Sequence, residues 1–112
     1  MGLKGQRQLF FEKRATCMVF VKNHAFRDYP ERGFSQPEIV LLIRNGAGTI
    51  SENKSPEAIN GSVLFSTKDD LGRSCKFSIE ITEVEIEGHS ASSGGTNKVS
   101  IVVFNAFRRV GS

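Results

Sequence analysis

Residues 74–87 alternate apolar and polar side chains at a period of two. Cys75, Phe77, Ile79 and Ile81 take one side, and Lys76, Ser78 and Glu80 take the other. A helix repeats every 3.6 residues and cannot gather such a set onto one face, whereas a half-buried strand does so at every second position. After Ile81 the phase inverts, and Val84 and Ile86 carry the apolar side. One extra residue near Thr82 and Glu83 produces that inversion, so a β-bulge or sharp bend is expected there. Glu83, Glu85 and Glu87 then share the solvent side, with Glu80 nearby, as an acidic ridge.

The other runs are also strand-like. Residues 98–110 set Val99, Ile101 and Val103 against Val102 and Phe104. Residues 62–67 place Val63 and Phe65 opposite Leu64, and residues 68–72 read as a turn. Residues 16–21 are apolar on both alternating sets, which fits a strand covered on both faces. Ile39 to Ile43 is a short continuous apolar run, β-branched at three of five positions, and is expected to be a central strand. Asn45-Gly46 supplies a tight turn into a short return strand at 47–50. Ser55-Pro56-Glu57 resembles a helix start, but Asn60-Gly61 limits it to one turn. Residues 88–97 form a loop by composition.

These elements predict an all-β domain of five to six strands with at most one helical turn. A small antiparallel Greek-key or OB-like barrel is the expected architecture, and a compact β-sandwich is the alternative. Residues 1–14 read as a basic N-terminal arm with an edge strand at Leu9-Phe10-Phe11, and residues 15–112 as a single β-domain.

Net charge is only +3, but it is unevenly placed. Residues 1–37 carry seven cations and three acids, residues 38–97 five cations and nine acids, and residues 98–112 three cations and no acid. Cys17 and Cys75 fall inside apolar runs and read as buried free thiols. The polar opening of the chain lacks signal-peptide character, and no apolar run is long enough for a membrane span. An intracellular, cytoplasmic setting is expected, with no membrane partner.

The loop at 22–38 interleaves Phe26, Tyr29 and Phe34 with Lys22, Arg27 and Arg32. Single-stranded nucleic acid is held by cations along its phosphates and by aromatic faces under its bases. Lys13 and Arg14 of the arm and Arg108 and Arg109 of the last strand add further cations. The expected function is therefore binding of single-stranded DNA or RNA with little sequence preference. The alternative is a protein-interaction or assembly module, such as a viral or phage structural subunit or an inhibitor, that uses the aromatic loop. Edge strands offer a route to a homodimer by strand addition. No catalytic set, cofactor or metal is expected. His24 and His89 lie in separate loops, the Cys and His spacings lack metal-site units, and the glycines near Lys98 do not form a phosphate loop.

Overall fold

The computed structural model describes residues 2–27, 32–54, 61–85 and 97–108. Among them run helix α1 (Leu3–Lys13), strand β1 (Met18–Val21), helix α2 (Gln36–Asn45), and strands β2 (Gly48–Glu52), β3 (Val63–Lys68), β4 (Ser74–Glu85) and β5 (Asn97–Arg108). A 3₁₀ turn, Asn23–Ala25, follows β1. The strands form one sheet in the order β1-β5-β4-β3-β2. β1 runs parallel to β5, and the other neighbours are antiparallel.

Cross-strand partners point to the same side of a sheet. The pairs Val19–Ile101, Ile101–Ile81, Val63–Ile79, Phe65–Phe77 and Ile50–Phe65 therefore define one face. The buried strand residues belong mainly to that face, and Phe10 of α1 and Ile39, Leu42 and Ile43 of α2 join them in one core. Phe10 lies 4.8 Å from Phe65, and Phe34 lies 5.5 Å from Phe77, centroid to centroid. Burying each such ring contributes roughly 1.5–3 kcal/mol. Both helices thus pack on one face, and among the described residues no helix packs on the other, where Asn53 alone reaches over the buried Ser62 and Ser78.

This arrangement corrects the barrel and the sandwich. The sheet ends at β1 and β2 without closing, and no second sheet forms among the described residues. The β-rich character stands; the all-β class does not, because two segments expected to be extended are helical.

The first is the apolar run at 39–43. Ser35 Oγ accepts the Glu38 N–H at 3.3 Å, Pro37 lies in the first turn, and Glu38 sits at the positive helix end. Ile39, Leu42 and Ile43 then fall at i, i+3 and i+4 on the core side, while Leu41 remains 57% exposed. The second is the arm. Residues 3–13 form α1, with Phe10 fully buried and Phe11 exposed beside it. The expected edge strand at Leu9-Phe10-Phe11 is its last turns.

Gly48 marks where α2 passes into the sheet. A Cβ there would lie 1.9 Å from the Ser66 carbonyl oxygen, so β2 approaches β3 too closely for any side chain. The expected bulge also moves. The β4–β5 register runs uninterrupted from Ile79 to Glu85, past Thr82 and Glu83. The shift occurs where Ser78 pairs with Asn105 and Ile79 with Val103, which leaves Phe104 of β5 as the extra residue. With the register continuous, Glu80 and Glu83 fall on opposite faces, so the acidic ridge is divided among the described residues. The helix start at Ser55-Pro56-Glu57, the loop at 88–96, Ile86 and Glu87 lie outside the described residues.

Candidate functional site

The bulge at Phe104 decides what the end of β5 presents. Strict alternation from Val103 would turn Asn105 inward and Ala106 outward. The extra residue inverts this: Ala106 is fully buried opposite Phe77, and Phe107 is 40% exposed opposite Lys76. Arg108 returns to the covered side, opposite Cys75, and is buried.

Arg108 is held there by a closed network. Its Nη2 donates to Glu38 Oε2 at 2.6 Å and its Nη1 to the Arg32 carbonyl at 3.2 Å. Its guanidinium lies 4.0 Å from the Phe34 ring centroid. Nε stands 3.1 Å from Asp69 Oδ2 without hydrogen-bond alignment, so that contact is Coulombic. Burial alone would lower the Arg108 pKa, but the bonds to Glu38 and Cys75 outweigh it and the pKa is raised. Asp69 accepts from the Leu71 and Arg73 N–H groups and from Arg73 Nε. Burial raises its pKa, the backbone and Arg73 bonds lower it further, and the net direction is down. Gly33 lies close by at φ 72°, in the left-handed region, with Arg108 Nη1 only 3.3 Å from where a Cβ would sit.

The ten residues expected to bind nucleic acid are therefore not gathered on one surface. Phe34 and Arg108 are buried and withdrawn from any ligand. Arg14 is half-buried between the helices and the sheet. Its guanidinium lies 4.9 Å from the Phe11 centroid and its Nη1 donates to the Gly46 carbonyl at 2.6 Å. Burial lowers its pKa. Phe26 is half-buried against the core. Lys13 is exposed at the end of α1, on the helical side. Lys22 and Arg27 are exposed around the 3₁₀ turn beyond β1. Tyr29 and Arg109 lie outside the described residues. Among the described residues, the cations of the N-terminal arm, the loop and the last strand thus do not share one face.

Arg32 reaches the side of the sheet opposite the helices. Its Nη1 donates to Asn105 Oδ1 at 3.1 Å and to the Ala106 carbonyl at 2.8 Å, and its guanidinium lies 4.7 Å from the Phe107 ring centroid. Asn105 and Phe107 belong to the bare face. Met18 and Phe20, each 48% exposed, stand on the same face at the β1 edge, and Val102 lies half-buried between them and Glu80. This uncovered face joins exposed aromatic surface to a positioned guanidinium, and it is the candidate site.

Phe107 was legible as an aromatic of the last strand, but its outward direction depends on the bulge. Lys76 was legible by parity, since Cys75 and Phe77 flank it inward.

Cys17 and Cys75 are buried and free, and burial raises both pKa values. Among the described residues no group of three His, Cys, Asp or Glu side chains gathers as a metal site would require. No helix among them is long and apolar enough to cross a membrane. No family model matches the chain, and no curated protein or solved structure shows significant similarity to it.

Proposed function

We propose that the uncovered face binds single-stranded nucleic acid, without strong sequence preference and without chemistry on it. The observation that carries this reading is the pair Arg32–Phe107: an exposed ring whose neighbour is a guanidinium fixed by two hydrogen bonds to β5. Bases stack on such rings for about 1–3 kcal/mol each, whatever their identity. Phe20 offers a second ring near the β1 edge, and Lys22 and Arg27 supply exposed cations just beyond it.

Titration of a fluorescently labelled single-stranded oligonucleotide at low and high salt tests the reading. Binding that weakens steeply with salt is expected, because each neutralised phosphate releases counterions. No binding at low salt, or binding indifferent to salt, contradicts it. Met18 and Phe20, exposed on β1 at the end of the sheet among the described residues, favour a second reading: a protein-interaction module that docks a partner or a second copy there. That reading expects a defined oligomer in size measurement and no salt-dependent oligonucleotide binding.

A further inference from the structure

The uncovered face continues beyond Phe107 across three more strands. Register places Phe107 opposite Lys76, Lys76 opposite Ser66, and Ser66 opposite Thr49. These four residues form one row, three strand spacings or about 14 Å long. In the adjacent row Lys68 stands opposite Ser74. Lys68 and Lys76 are therefore diagonal neighbours on one face, about 7–8 Å apart at the backbone. A shallow cleft of about 440 Å³ opens at this corner of the sheet, and Thr49, Ser66, Lys68, Ser74 and Lys76 all line it.

The state of these side chains differs from that of the arginines that hold carbonyls and carboxylates of other segments. Both lysines are exposed, and among the described residues neither has an ion-pair partner. The hydroxyls of Thr49, Ser66 and Ser74 likewise have no side-chain hydrogen bond among the described residues. The acid opposite Val102 on this face, Glu80, lies four residues from Lys76 along β4, beyond Ser78. Asp69, next to Lys68 in sequence, is turned inward to Arg73 and Arg108. Two unpaired ammonium groups and three unengaged hydroxyls around a cleft match a phosphodiester: an anion that accepts several hydrogen bonds and offers none in return.

We infer that the Lys68–Lys76 cleft is a backbone-phosphate subsite for the single strand whose bases meet Phe107. The inference rests on the nucleic-acid reading of the same face and extends it. The strand crosses the sheet from β5 toward β2, with a base at Phe107 and the following phosphates over Lys76 and Lys68.

Three proteins test this by oligonucleotide titration across a salt series: the wild type, Lys68→Ala/Lys76→Ala, and Lys68→Arg/Lys76→Arg. Thermal unfolding of each confirms that exposed substitutions leave the fold intact. The expected result is affinity about tenfold lower at low salt for the alanine pair, with a salt slope shallower by about 1.4 for two lost single-strand phosphate contacts. The arginine pair retains wild-type affinity. In the wild type, oligonucleotide should also protect Lys68 and Lys76 from acetylation while leaving Lys4 and Lys54 reactive. If the wild type binds with a steep salt dependence but the alanine pair matches it in affinity and slope, or the two lysines stay unprotected, the subsite is overturned and the nucleic-acid reading stands. If the wild type does not bind at low salt, both fall.

Discussion

On the covered side of the sheet the Arg108 side chain is 3% exposed and meets Glu38, Asp69 and the Phe34 ring. On the bare side, across the same pair of strands, Lys76 is exposed beside Phe107 and meets no acid among the described residues. Both are cations near the same end of the sheet, yet one is spent on the fold and the other is left to solvent. The contrast extends along the chain. Arg7, Arg14, Arg32 and Arg44 each donate to a backbone carbonyl of another segment: Ile50, Gly46, Ala106, and Ala15 with Cys17. A planar guanidinium with several fixed donors suits such clamping, whereas a lysine ammonium on a flexible stem suits a solvated surface. Charge read from composition alone overstates what a ligand meets, because much of the arginine already holds carbonyls and carboxylates.

The largest effect expected from this contrast follows removal of Arg108. Arg108→Met leaves Glu38 and Asp69 without their shared cation, and breaking a buried pair from one side costs about 3 kcal/mol or more. Denaturant unfolding should record that loss, while oligonucleotide affinity of the folded variant stays at the wild-type level. Lost affinity with unchanged stability would instead place Arg108 on the ligand side.

The same network sets a pH dependence. The folded pKa of Asp69 lies below the ordinary aspartate value of 3.8, so the unfolded chain takes up that proton first as pH falls. Stability from this group is complete above the ordinary value and is lost as pH drops toward the folded one. Asp69→Asn should flatten the acid limb of a stability–pH curve. An unchanged limb would remove Asp69 from the account.

A smaller effect is expected at Ser35, which caps the helix that delivers Glu38 to Arg108. Ser35→Ala should cost about 1 kcal/mol in unfolding. No change would mean that the pull of Arg108 on Glu38, not the cap, starts α2.

The sheet was legible where alternation was strict. The inward sides of β3 and β4 are those read from Val63, Phe65, Phe77 and Ile79, and the turn at 68–72 stands. The helices were hidden for different reasons. In α2 the β-branched residues at 39, 40 and 43 imitate a strand, and only Ser35-Gln36-Pro37-Glu38 upstream carries the helix signal. In α1 the apolar residues cluster at Leu9, Phe10 and Phe11, leaving little periodicity over the first turns. The site was obscured by one residue. Val84 and Ile86 point to a phase break in β4, but it lies at Phe104 of β5. That single displacement exchanges Phe107 and Arg108 between the two sides. It turns an expected ligand-binding arginine into a core ion pair and exposes the ring beside it.

The most direct test of the account is a map of backbone amide shifts as single-stranded oligonucleotide is added to the wild-type protein. The account predicts that the residues perturbed are those of the bare face, centred on Arg32, Phe107 and Lys76, with α1 and the Arg108–Asp69 network unmoved. Perturbations centred on α1, or none at all under low salt, would contradict it.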